Sequence, residues 1–437
     1  MKTLYVENIV NNSELIDIPD INNGSGEIEI GLIIEKTTYG FCIIPIDHSE
    51  KYFSLANQLQ LEVKISESEL FGFADDCRKI WQEIIVEAVE QRPKKGGGIE
   101  NYLCYQDQWD FSNNKILSSR ACKLAKAGEQ LFFNLFGNQK KYVNPSNEVD
   151  EFKNKFKMAI RENELKITVT SDSFFAPWGF LYVHPDTNED LNYDGSNFKW
   201  EGFFGYRHII QQNNKHHTLI EGLKKNEYSK LKFSANVDTT IDSKKITCIA
   251  DIVEFLKNNT VLDFIQRNNK SDLANALCSI NFSDNIMFFF CHGITSWGTN
   301  GPNIESTKIM LTDKEDITPP ELELWLEKNG SSILPSHPLV FINACQGGQM
   351  KNIFYQGMAV VLLEAEAIAV VGSQVDLPVL FAYEFSKQFF HNLLDTQSTV
   401  RVGPLMRALV RDFINKHNNP LGLVYSLYRG ADCYVSD

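Results

Sequence analysis

Along the chain, apolar positions fall into two regimes. Within residues 28–62, two β-branched runs, IEIGLIIEKT and YGFCIIPID, meet at the turn-prone Thr38-Tyr39-Gly40 and predict a β-hairpin or small sheet. From Ser66 to about Val89, Leu70, Phe73, Ile80, Trp81, Ile84 and Ile85 recur at three- and four-residue spacing, which predicts a helix. Arg92-Pro-Lys-Lys-Gly-Gly-Gly98 follows. Proline ends a helix, and the glycines and lysines predict a flexible, protease-accessible joint. A boundary is therefore expected there, closing a small α+β N-terminal module at 1–98.

Helical patterns recur at 118–137, closed by Gly137, and at about 148–163, before a strand at Glu164 to Val169. The polar, acidic stretch PDTNEDLNYDGSN (185–197) predicts an exposed loop. From about 244 the pattern becomes short apolar strands alternating with helices. Strands are expected at Ile286–Cys291, Lys308–Leu311, Leu339–Ala344, Ile368–Gly372 and Leu423–Leu427. Helices are expected at about 271–279, 319–328, 354–366 and 378–394. Such alternation argues for an α/β fold, a mainly parallel sheet flanked by helices on both faces.

Composition narrows the function classes. A length of 437 residues suggests two to three domains, and 43% hydrophobic with 22% charged residues is ordinary for a globular protein. Asp and Glu total 56 against 42 Lys and Arg, a net charge of −14, which argues against nucleic acid as a direct partner. Nine cysteines include no C-x-x-C pair, so neither a zinc knuckle nor a redox motif is indicated. His216-His217 lack a partner at metal-ligand spacing, and Gly347-Gly348 are not followed by Gly-Lys-Ser/Thr; no metal or other cofactor is expected. The opening MKTLYVENIVNNSEL lacks a signal-peptide core. The longest apolar stretch, Gly357 to Gly372, is interrupted by Glu364 and Glu366 and is too short to span a bilayer. The expectation is a cytoplasmic protein with reduced thiols and no membrane association.

Two strand ends carry unusual chemistry. IMFFFCHG runs an apolar strand into Cys291, His292 and Gly293, and LVFINACQGG runs another into Asn343, Ala344, Cys345 and two glycines. In open α/β sheets, functional groups gather beyond the carboxyl ends of strands. A histidine from one strand and a cysteine from another is what a thiol nucleophile needs, since the base must reach the sulfur and hold it as thiolate. Glycine beside each leaves room for a substrate backbone and turns amide N–H groups toward a developing oxyanion. A cysteine ending a buried strand is also a common small core residue.

FFFCHG followed by LVFINACQGG resembles the CHAT-domain cysteine peptidases, relatives of caspases and separases. The resemblance extends through AGEQLFFNLFG (127–137), LKITVTSDSFFAPWGFLYV (165–183), KIMLTDKEDITPPELELW (308–325), AIAVVGSQVDLP (367–378) and NPLGLVYSLYRGAD (419–432), covering roughly 118–437. It implies a caspase-like fold with a catalytic half at 241–437, preceded by a degenerate, non-catalytic half at 118–240.

Residue by residue, the resemblance makes Cys345 the nucleophile and His292 the general base, with the backbone N–H groups of Gly293 and Cys345 as the oxyanion hole. Cys291 alternates to the opposite face and reads as core, as do Pro177 and Trp178. Asn343, two residues before the nucleophile, would line the pocket for the substrate side chain. Being neutral, it argues against strict preference for Lys or Arg. The loop Ser373-Gln374-Val375-Asp376 would form another wall of that pocket, with Gln374 and Asp376 facing substrate; Asp376 alternatively reads as a helix N-cap ahead of Pro378.

The implied activity is endopeptidase cleavage of a specific protein partner. In similar bacterial proteins this domain accompanies defence and cell-death machinery, so the implied substrate is an effector such as a pore-forming protein. The activity would be held inactive until triggered, with the N-terminal module a candidate for sensing, docking of a regulatory protein or restraint. The alternative is a catalytically silent peptidase-fold scaffold that binds a partner, which would have no need of the His292–Cys345 pair.

Overall fold

The structure is a computed structural model. It describes residues 27–38, 40–55, 59–93, 97–103, 108–112, 117–143, 146–172, 174–186, 189–214, 222–224, 230–243, 246–294, 297–298, 301–302, 308–330, 332–345, 354–395 and 399–436. The strands that matter here are β1 (Ile28–Thr37), β2 (Gly40–Asp47), β3 (Leu61–Val63), β4 (Val89–Pro93), β5 (Ile99–Leu103), β6 (Leu165–Thr170) and β7 (Ile209–Asn213). They continue with β8 (Leu231–Val237), β9 (Leu262–Arg267), β10 (Ile286–Ile294), β11 (Lys308–Met310), β12 (Leu339–Cys345), β13 (Ala369–Ser373) and β14 (Tyr425–Tyr428). The main helices are α1 (Glu67–Trp81), α2 (Leu117–Phe136), α3 (Ser146–Glu162), α4 (Cys248–Lys257) and α5 (Lys270–Leu277), then α6 (Pro319–Lys328), α7 (Phe354–Glu364), α8 (Val379–Leu393) and α9 (Val402–His417).

One large sheet runs β9-β8-β10-β12-β13-β14-β7-β6-β1-β2-β3, with β11 paired to the end of β10. Every pair from β9 through β13 is parallel. Polarity reverses at β13–β14, where Gly372 pairs with Ser426 antiparallel. From β14 through β7, β6 and β1 the strands are again parallel to one another. The carboxyl ends of β8, β10, β12 and β13 therefore gather at one edge of the sheet, and those of β7, β6 and β1 at the other. This is the expected α/β class, a mainly parallel sheet flanked by helices.

The central strands read as continuous apolar runs because both their faces are covered. On one face Phe233, Phe288 and Phe341 close around Phe390 of α8, with ring centroids 5.1, 5.2 and 5.5 Å away. On the other, Met287, Phe289 and Cys291 join Leu273 of α5, Leu322 and Trp325 of α6 and Leu362 of α7 in a second core. Burying each such aromatic contributes about 1.5–3 kcal/mol, so the sheet's central strands are held from both sides. The start of α6 follows from its sequence: Pro319-Pro320 occupy the first helical positions, where a missing N–H costs nothing, and Glu321 accepts from Thr318 N and Oγ1 at 3.0 Å.

The sheet crosses both boundaries expected from the sequence. β1 pairs with β6 from Ile28↔Leu165 to Ile33↔Thr170, so residues 28–63 extend the large sheet. β8 ends before residue 241 yet lies between β9 and β10. The helix end expected near Pro93 differs. α1 ends at Trp81 and is continued to Val86 by a π-turn, not stopped by Pro93. β4 and β5 then pair antiparallel, and Gly97 and Gly98 adopt φ of +95° and +94°, a region open to glycine, between them. Residues 94–96 lie outside the described residues.

Candidate active site

β8 leads through α4 to β9 at the outer edge, and the chain returns through α5 to β10 on the other side of β8. That reversal makes the gap between the ends of β8 and β10 a topological switch point, where open α/β sheets place their ligands. Asp238 follows β8 there, and His292 closes on it from β10.

Across the next gap, His292 is the register partner of Cys345 in the parallel β10–β12 ladder. Adjacent strands lie about 4.8 Å apart, and paired positions share a face of the sheet. Positions 292 and 345 are thus neighbours on the face that carries Phe288, Phe290 and Phe341. The backbone of Cys345 is described and its side chain is not. Gly293 is buried beside His292 and pairs with Ile309 of β11.

The His292 side chain is 30% exposed, and its Nε2 lies 3.6 Å from Oδ2 of Asp238, which is 0% exposed. That distance is an ion-pair contact, beyond hydrogen-bond reach. Asp238 is fixed in turn: its N donates to Phe290 O at 2.9 Å, and its Oδ1 accepts from Thr240 N at 2.9 Å and Thr240 Oγ1 at 2.7 Å. The Lys314 ammonium also donates to Asp238 Oδ2. β11 delivers it, helped by Thr312, whose hydroxyl donates to Val237 O at 3.1 Å. One carboxylate therefore faces an imidazole and an ammonium together.

Among the described residues, Cys42, Cys77, Cys122, Cys248, Cys291 and Cys433 are buried. Cys291 alternates onto the second core and is fully buried, and burial pushes its thiol far above the ordinary range. Burial likewise pushes Cys77 and Cys433 up to about 12. Such thiols are held protonated and inert.

Asn343 shares the face of Cys345 and is fully buried. Its Nδ2 donates to Ser386 Oγ and Ala382 O on α8, and its Oδ1 accepts from Tyr425 Oη at 2.7 Å. These bonds lie within the fold. Gln374 leaves β13 at the same edge; its Nε2 donates to Ser426 Oγ at 2.8 Å and Tyr428 Oη at 2.7 Å. Asp376 does not cap α8, whose N-cap is Pro378 without a side-chain bond. Its carboxylate accepts from Gln82 Nε2 at 3.3 Å. Trp178 packs against Phe174 and donates from Nε1 to Gln212 at 3.1 Å, a core role as expected.

Sequence reasoning missed Asp238, and the signal was present: Leu231, Phe233, Ala235 and Val237 alternate with Lys232, Ser234 and Asn236, a strand pattern that ends in Asp238. His216-His217 and Gly347-Gly348 fall outside the described residues. Among the described residues, His184, Asp186 and Glu189 form a grouping of metal-ligand type. The histidine nitrogens there already meet Asn197 O at 2.8 Å and Asp186 N at 3.3 Å, so the donor set does not fit an ion. Among the described residues no helix is long and apolar enough to cross a membrane.

No protein-family model matches the chain, and no curated protein matches it significantly. Among solved structures, the chain is similar to two Saccharomyces cerevisiae separase–securin complexes, determined at 2.6 and 3.0 Å. The first aligns at 9% identity with a TM-score of 0.38, over 93% of this chain and 30% of the other. The second aligns at 11% identity with a TM-score of 0.38, over 95% of this chain and 30% of the other. The chain thus spans about a third of the length of the structures it matches.

Proposed function

We propose that the chain is a caspase-like cysteine endopeptidase of the CHAT type, with Cys345 as nucleophile and His292 as general base and acid. The observation that carries this reading is the register pairing of His292 with Cys345 at the carboxyl edge of a parallel sheet, with buried Asp238 behind the imidazole. His292 takes the thiol proton, and the thiolate attacks the scissile carbonyl carbon to form a tetrahedral adduct. The oxyanion is met by the N–H groups of Gly293 and Cys345. The imidazolium, stabilised by Asp238, gives its proton to the departing amine as the C–N bond breaks, leaving a thioester. Water, deprotonated by His292, then attacks the thioester carbonyl and releases the acid and the thiol.

The substrate is a specific protein, recognised at the edge where the loop 373–376 leaves β13. By its resemblance to defence-linked CHAT proteins, a pore-forming effector is the first substrate to test. Fragment proteomics of cells expressing wild-type or Cys345→Ala protein tests the reading. New protein termini that depend on Cys345 support it; identical fragment sets, with both proteins folded and the trigger present, favour a silent scaffold.

A further inference from the structure

Loop 373–376, which the peptidase reading makes a wall of the substrate pocket, is held by residues from the first hundred of the chain. Arg78 of α1 is 2% exposed, and each nitrogen of its guanidinium donates to one partner. Its Nε donates to Gln374 Oε1 at 2.8 Å, its NH1 to Asp75 Oδ1 at 2.8 Å and its NH2 to Phe175 O at 3.1 Å. Four residues on, at the start of the π-turn, Gln82 makes a reciprocal pair with Asp376. Its Oε1 accepts from Asp376 N at 3.1 Å while its Nε2 donates to Asp376 Oδ2 at 3.3 Å. The π-turn inserts one residue per turn, seen as Glu87 N donating to Gln82 O at 2.9 Å, and such turns re-aim side chains.

Gln374 and Asp376 are 4% and 6% exposed, in a place where apolar residues would be cheaper to bury. Burying polar groups with paired, directional bonds fixes a conformation more sharply than apolar packing does. Gln374 also reaches Ser426 and Tyr428 across the β13–β14 reversal, so one side chain links α1, the loop and the strand where sheet polarity changes.

We propose that Arg78 and Gln82 are positioning residues that set the conformation of loop 373–376, so that α1 controls how the site discriminates the substrate side chain. This rests on the peptidase reading for the discrimination, and on geometry alone for the loop. The test compares wild-type, Arg78→Ala and Gln82→Ala chains by amide hydrogen exchange without substrate, and by kcat and KM on peptides differing at the residue before the cut. Gln82 is only partly buried, so its variant folds even if Arg78→Ala does not. Expected for Gln82→Ala are at least threefold faster exchange at Asp376, whose N–H loses its acceptor, and at least a threefold change in the preference ratio between peptides. Alkylation of Cys345 should proceed at the wild-type rate. Unchanged exchange in a folded Gln82→Ala protein overturns the proposal, as does faster exchange with an unchanged preference ratio. Absence of Cys345-dependent cleavage in the wild type defeats the peptidase reading instead, and the exchange arm still decides whether α1 holds the loop.

Discussion

His292 and Cys345 are register partners in the β10–β12 ladder, far apart in sequence and adjacent in the sheet. The pairing comes from two strands whose buried faces leave no freedom to slip: a one-residue shift would turn Phe288, Phe290 and Phe341 away from α8.

Behind that pair stands Asp238, and its charge is testable. Asp238→Asn keeps the shape but removes the negative charge facing His292 Nε2. We expect kcat to fall by about 10- to 100-fold, a fraction of the 10²–10⁴ that general acid–base catalysis supplies, with KM unchanged. Steady-state kinetics on a cleaved peptide checks this; an unaltered kcat in a folded variant would remove Asp238 from the account.

Asn343 is predicted to stabilise the fold whatever it does for substrate. Asn343→Ala removes the acceptor of the buried Tyr425 hydroxyl and a donor to the buried Ser386 hydroxyl, and should cost about 2–4 kcal/mol. Tyr425→Phe removes one bond and should cost about 1 kcal/mol. Denaturant unfolding followed by fluorescence measures both, and a smaller loss for Asn343→Ala than for Tyr425→Phe would contradict the bonding described.

His208 makes stability pH-dependent. Burial first, then Arg207, Arg407 and Arg411 around it, hold its imidazole well below the usual 6.5, while its Nδ1 accepts from Leu165 N at 3.1 Å. Below about pH 6.5 the unfolded chain takes up a proton that the native chain refuses. The contribution is therefore full above that pH and is lost as pH falls, approaching about 1.4 kcal/mol per pH unit. Urea midpoints at pH 7.0, 6.0 and 5.5 should drop for wild type and drop less for His208→Gln; parallel declines would exclude His208 as the cause.

Arg267, ending β9, and Asp284, just before β10, form a buried two-bond pair at 2.6 and 3.2 Å. Asp284→Ala strands a buried guanidinium and should cost about 3–5 kcal/mol. Replacing both residues by methionine should cost far less, because no charge is left buried. Equal losses in the two variants, read by thermal unfolding, would show that the pair is not what matters there.

The candidate edge was legible in the sequence because its strands are buried on both faces and end in polar residues. Cys291, His292, Asn343 and Cys345 could be placed by alternation alone. α6 was legible through Thr-Pro-Pro-Glu. Other elements were obscured by local signals that tertiary packing overrides. No helix was expected over Val402–His417, yet α9 spans it, and Pro404 falls in the first turn, where proline is tolerated. The strand expected at Leu423–Leu427 begins at Tyr425, after a 3₁₀ turn over Pro420–Val424. A joint was expected at Arg92–Gly98 because proline and glycine mark turns and loose linkers alike, and residues 94–96 lie outside the described residues. The ties of Arg78 to Gln374 and Gln82 to Asp376 had no local signal at all, since nothing in α1 periodicity indicates a partner in the last quarter of the chain.

The most direct test of the central claim is the pH dependence of Cys345 alkylation, followed residue by residue with mass spectrometry in wild-type and His292→Ala chains. A coupled pair predicts that Cys345 reacts as a thiolate well below the ~8.5 of a free thiol, and that His292→Ala moves its reactivity up toward that value. Ordinary reactivity near 8.5, unchanged by loss of His292, would contradict the account.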